Sequence, residues 1–215
     1  MIRSIFALTG ALLVVSAAHA NAQTNSAHIP IGYLADAFDG TPFLQGLLPT
    51  AAAEAAIAAQ HVDLANAAGS SLGDVQLHMD HVLHAIDPVR MIEGPGLGYG
   101  VLLAVSTATA QLAVAAQDST ASDNLRTHAG HIAAILANAA VQTEQITMLA
   151  EQIRASSSAA TASTLLARLT IHAETLTVGR DIDRDGLIGW QGSEGGLRQA
   201  VQHLTLLRRG EDLIP

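Results

Sequence analysis

The chain of 215 residues contains no cysteine, which excludes disulfides, thiolate metal sites and covalent CxxCH haem attachment. Lysine is absent as well, and every basic residue is arginine. Aromatic residues make up only 3% and charged residues 13% of the chain, so any core must be filled by Ala, Leu, Val and Ile rather than by rings. Ten basic residues stand against 19 acidic ones, for a formal charge of −9. That balance argues against nucleic acid as a partner, because phosphate binding needs a basic surface. His-Glu-x-x-His and the Glu-x-x-His carboxylate motif of di-iron bundles are both missing. No catalytic constellation can be assigned, and the expectation is a binding module rather than an enzyme.

Long hydrophobic runs are scarce. The one near the start is bracketed by other signals: Arg3 supplies a positive n-region, Ile5 to Ala18 is apolar, and Ala18-His19-Ala20 and Ala20-Asn21-Ala22 are small-x-small cleavage sites. Residues 1–22 therefore read as a secretory signal peptide. The run is too short to span a membrane comfortably, and no later segment reaches the about 18 uninterrupted apolar residues of a spanning helix. The expected product carries no stable membrane anchor and is periplasmic or secreted. Cleavage removes Arg3 and no acid, making the chain one unit more negative.

What is abundant is alanine and leucine in helical periodicity, which predicts an all-α fold. Residues 23–49, with their prolines and glycines, read as an extended lead-in over the core. A helix capped by Thr50 is expected to run to about Ala68, with Ile57, His61 and Leu64 as its inner stripe. A second continues to Ile86 with Val75, Met79, Val82 and Ile86 inward, and Pro88 ends it. Gly94-Pro95-Gly96-Leu97-Gly98 follows a helix and has no lysine, so it is a connector rather than a phosphate cradle. Further helices are expected over 101–117, 122–155, 162–176 and 194–208, and nothing reads as a strand. The domain division predicted is 50–157 and 158–215.

A shift of fifty residues superimposes the first helical hairpin on the second. Val75 falls on Leu125, His78 on His128, His81 on His131, Val82 on Ile132 and Ile86 on Leu136, while His61 falls on Gln111. Two related αα-hairpins would form a four-helix bundle, with residues 158–215 as a third, C-terminal hairpin beside it.

His78 with His81, and His128 with His131, are i, i+3 pairs on one helix face, a spacing from which two imidazoles reach one ion. Antiparallel packing brings His61 to the level of His78. Three readings compete: a borderline metal such as Zn2+, Cu2+ or Fe on the imidazoles, a non-covalent haem between facing helices, or histidines that cap helix ends and satisfy buried polar groups. The metal is expected either in one site spanning both hairpins, from His78, His81, His128 and His131, or in separate hairpin sites. His84 falls on Ala134 and reads as solvated. His172 and His203 lie on or beside apolar stripes and read as satisfied core histidines.

Asp181-Ile182-Asp183-Arg184-Asp185-Gly186-Leu187-Ile188 places carboxylates at alternate positions before a glycine, which is what a hard cation needs from one short loop. The stretch resembles the calcium loop of the EF-hand family. The resemblance implies Ca2+ held by Asp181, Asp183 and Asp185 with the Leu187 carbonyl, and a sharp turn at Gly186. Where the family has its twelfth-position Glu this chain has Gly192, and Glu194 is the nearest carboxylate that could close the shell. The remainder resembles exported Ala/His-rich helical proteins, a likeness that lends no activity. Taken together, the sequence predicts an exported calcium-binding helical module, with a periplasmic transition-metal or haem carrier as the alternative and no protein partner identified.

Overall fold

The computed structural model describes residues 25–215, and the expected signal peptide, residues 1–22, lies outside them. Among the described residues the chain is all-helical, in seven α-helices. They are α1 (His28–Ala35), α2 (Leu47–Ala67), α3 (Leu72–Ile86), α4 (Val101–Gln117), α5 (Asp123–Arg154), α6 (Ala159–Thr177) and α7 (Leu197–Gly210). Within these residues no helix is long and apolar enough to cross a membrane.

The lead-in is not extended. α1 occupies its middle, and Pro42–Leu44 form a 3-10 turn. Pro30 sits in the first turn of α1, where its missing N–H would have no helical partner anyway, so this proline is compatible with a helix. The same reasoning corrects the start of α2. Pro49 fits its first turn, and the helix begins at Leu47 rather than at Thr50, whose buried hydroxyl donates to the Gly46 carbonyl at 2.9 Å.

Alanine decides how the helices pack. The buried face of α2 is Ala51, Ala55, Ala58, Val62 and Ala65, while Leu64 is 40% exposed. The expected inner stripe through Ile57 and Leu64 is therefore rotated away from the true one. Small side chains let α2 approach α3, α4 and α6 closely, and it touches all three. On α3 the stripe is as expected, with Val75, Met79, Val82 and Ile86 at most 3% exposed. α5 is the long spine: Leu125, Ala129, Ile132, Leu136, Ala139, Ile146 and Ile153 are buried along it, against α3, α4, α6 and α7. Ser122 caps it by accepting the Leu125 N–H at 2.9 Å.

The glycine-rich connector is held from below. Glu54 of α2 is fully buried, and its carboxylate accepts N–H bonds from Leu97, Tyr99 and Gly100 at 2.9, 3.0 and 2.9 Å. His84 Nδ1 accepts the Gly96 N–H at 2.9 Å. His84 is thus buried, 6% exposed, and not solvated. The segment folds back over the C-terminal turn of α3, which the comparison with Ala134 does not reveal.

Candidate metal centres

Three groups of potential ligands converge among the described residues: His61, His78 and His81; His128, His131 and His203; and Asp181, Asp183 and Asp185. In each group one donor atom per residue lies within 4.8 Å of the others.

The first centre joins α2 to α3. His78 and His81 occupy successive turns of one α3 face, and His61 faces them from the antiparallel α2. Its Nδ1 lies 3.2 Å from His78 Nδ1 and 3.3 Å from His81 Nδ1. The His61 and His81 rings meet edge-on with centroids 4.5 Å apart. His61 Nδ1 carries either one proton or one lone pair, so its two neighbours share a single donor or acceptor site, whereas a cation between the rings would use a lone pair from each. Burial, followed by the charges of His81 and His78, lowers the pKa of His61. Burial and then His81 lower that of His78 against an opposing pull from Asp74. Both rings are therefore biased to the neutral form that ligates metal.

The second centre joins α5 to α7. His128 and His131 stand on α5 at the spacing of His78 and His81, and the third imidazole is His203 of α7, with His128 Nδ1 3.2 Å from His203 Nδ1. His131 Nδ1 is buried and has no hydrogen-bond partner, a state that costs free energy unless something is bound there. Burial lowers the pKa of His131 and of His203, reinforced by neighbouring histidines. The Trp190 indole stacks on the His131 ring, with centroids 4.0 Å apart and planes 18° from parallel.

The four paired histidines thus do not share one site across the two hairpins. They divide between two centres, and each pair gains a third imidazole from another helix. For the first pair that is His61, as the hairpin geometry predicts. For the second it is His203, which the sequence reading assigns to the core. The fifty-residue shift sets Gln111 of α4 at the position of His61. Nitrogens 3.2–3.3 Å apart suit one shared ion. Axial haem ligands would need roughly 4 Å, twice an ordinary metal–imidazole bond, with a porphyrin between them.

The third group lies in the loop between α6 and α7. Asp181 accepts N–H bonds from Arg184 and Gly186 at 2.6 and 3.0 Å, Asp183 from Asp185 at 3.1 Å, and Asp185 from Leu187 at 2.8 Å. Gly186 adopts φ 88°, a left-handed turn that favours glycine. Glu194 is outside the aspartate group. Its carboxylate instead accepts N–H bonds from Ile182, Asp183 and Gly189 at 2.9, 3.2 and 3.1 Å. Those bonds, the Gly189 one foremost, lower its pKa. The Glu194 carbonyl also accepts the Arg180 N–H at 2.8 Å, so one residue ties both ends of the loop. A Cβ on Gly179 would stand 2.4 Å from that carbonyl, which explains a glycine there. Asn138 of α5 anchors the loop by donating to the Ser193 and Gly195 carbonyls, both at 2.9 Å. His172 bonds Gln142, which in turn donates to Asn138, so His172 acts as a satisfied structural histidine.

No family model, curated protein or solved structure matches this chain.

Proposed function

We propose that this is an exported metal-binding protein that holds one transition-metal ion, of the zinc or copper class, at each of two tri-histidine centres. The observation that carries this reading is the convergence of three imidazoles twice over, each set offering nitrogens within 4.8 Å of one another and including Nδ1 pairs 3.2–3.3 Å apart. Structural histidines ordinarily pair with carboxylates, carbonyls or water. Grouping them in threes, with burial lowering the pKa of His61, His78, His131 and His203, favours the neutral rings that a cation needs. Borderline divalent ions and Cu(I) favour imidazole, whereas calcium and magnesium do not.

A duplicated hairpin accounts for the arrangement. In this reading α2–α3 and α4–α5 derive from one unit and pair as a four-helix bundle. The inherited His-x-x-His pair recurs, and the C-terminal hairpin supplies through α7 the imidazole that Gln111 no longer provides. Zinc titration of the metal-free chain by calorimetry tests the proposal. Two ions are expected per chain, falling to one in His61→Ala or His203→Ala and to none when both are changed. Stoichiometry below one in the unmodified chain would refute it.

A second reading concerns the Asp181 loop. Three carboxylates that meet within 4.8 Å around a left-handed Gly186 favour Ca2+. Glu194 serves this site as the clasp of the loop backbone. Calcium here would staple α6 to α7, since a site lacking its twelfth-position carboxylate suits the high calcium of an extracellular compartment.

A further inference from the structure

The donor geometry says more about the histidine centres than that they take a metal. A tetrahedral ion with metal–nitrogen bonds of about 2.0–2.1 Å sets its ligand nitrogens roughly 3.3–3.4 Å apart, whereas octahedral right angles bring them to roughly 2.9 Å. At the first centre His61 Nδ1 stands 3.2 and 3.3 Å from its two neighbours, and at the second His128 and His203 Nδ1 are 3.2 Å apart, each nearer the tetrahedral value than the octahedral one. Each centre has only three members, because no fourth His, Asp or Glu joins either group among the described residues, and the chain has no cysteine. Structural zinc sites are closed by four protein ligands, while sites that bind water or substrate keep three and leave one position free.

We propose that each tri-histidine centre holds its metal tetrahedrally with one exchangeable position, and that this position takes water or a small monoanion such as azide or a carboxylate. The inference rests on the metal-binding reading and adds the coordination number and the ligand class. Three neutral imidazoles leave the full dipositive charge on the ion, so an anionic fourth ligand is favoured electrostatically over a neutral one. At the second centre Trp190, the chain's only tryptophan, lies against the ligand ring of His131. Of the two histidine centres, its emission therefore reports on the second, although the indole also borders Asp183, Asp185 and Glu194 of the loop.

Cobalt(II) is the probe. The metal-free full chain is loaded with it, and bound cobalt is counted by equilibrium dialysis while visible spectra are recorded during an azide titration. The expected result is the intense absorption of tetrahedral cobalt, moving saturably with azide while the count stays constant. Trp190 emission should be quenched in the unmodified chain and in His61→Ala with His81→Ala, but not in His128→Ala with His203→Ala. Circular dichroism checks that these variants are folded, and the unmodified chain carries the test if they are not. Weak six-coordinate bands would overturn the tetrahedral assignment. Intense bands that azide leaves unmoved would overturn the open position, as would release of cobalt by azide. Failure to bind any cobalt or zinc would sink the metal-binding reading itself, which the dialysis count separates from the other outcomes.

Discussion

Zinc should raise the thermal stability of the metal-free protein in two independent steps, one for each histidine centre. Unfolding separates His61 from His78 and His203 from His128, so the unfolded chain retains only isolated His-x-x-His pairs with much weaker affinity. A ligand that binds the native state alone stabilises it by ~2.7 kcal/mol at a hundredfold excess over Kd. For a domain of this size, each kcal/mol moves Tm by roughly 2–4 °C. One centre is then worth roughly 5–11 °C, and the two together about twice that if no ligand is shared. The two groups have no residue in common, so additivity is the expectation. Melting followed by circular dichroism, with chelator and then with zinc, measures the shift. His61→Ala and His203→Ala should each forfeit about half of it, and the double variant all of it. Amide exchange adds spatial resolution, because zinc should slow exchange in α7 through the second centre, and His203→Ala alone should erase that effect. A zinc-induced shift that survives intact in the double variant would place the ion elsewhere and refute the reasoning.

Calcium should raise Tm through the aspartate loop, and Asp181→Ala with Asp183→Ala should abolish that response while leaving zinc stoichiometry at two. Glu194→Gln should loosen the loop even without calcium, because three N–H groups lose a charged acceptor, and faster amide exchange over residues 180–190 is the readout. Glu54→Ala strips the buried acceptor of three connector N–H groups and should cost about 3–5 kcal/mol in denaturant melts. A loss near zero would mean that the connector rehydrates freely. Stability without metal should fall with pH in two stages. His61, His78, His131, His172 and His203 have folded pKa values below the unfolded 6.5, so the unfolded state gains protons first and stability declines as pH drops below about 6.5. Glu194 and Glu211 are held below the usual carboxylate value, the latter by Ser122, Asn124 and His28 against the effect of its burial. Their contribution is full above 4.5 and disappears as pH falls through their folded values. A flat profile between pH 7 and 5 would contradict the histidine stage.

Helix type and most boundaries could be read from local pattern, because the punctuation is strong. Gly94 to Gly100 and Asp118 bracket α4 at the bounds expected for it, and Ser122 opens α5 where a cap residue stands. α1 was not legible, since Pro30 and Gly32 read as breakers although a proline in the first turn is harmless. The inner face of α2 was missed because alanine carries little weight in a hydrophobic stripe, yet it is what allows close helix approach. The i, i+3 histidine pairs were visible because one helix makes them, and His61 because one hairpin does. His203 stands 75 residues from His128, and no periodicity announces that α7 packs beside α5. Trp190 was silent for the same reason: its partner ring is set by tertiary docking of a loop.

The two centres consequently differ in what holds them. The first is local to a hairpin, so the packing of α2 on α3 is sufficient to form it. The second exists only while α7 is docked. α7 in turn depends on the loop over residues 178–196, which Glu194 ties internally and Asn138 anchors to α5. Farther along, Arg208 pairs with Asp36 at 2.8 Å, and Glu211 bonds Asn124 at 2.8 Å and His28 at 2.9 Å, fastening the end of α7 to α1 and to the first turn of α5. Trp190 rides on that same loop and packs on a ligand ring. Whatever tightens the loop therefore fixes two of the parts that shape the second centre, His203 through α7 and His131 through the indole. Among the described residues, the rings of the first group meet no aromatic ring but one another. Of two histidine groups that begin with the same His-x-x-His pair, one is complete once its hairpin forms, and the other is contingent on the C-terminal unit and its loop.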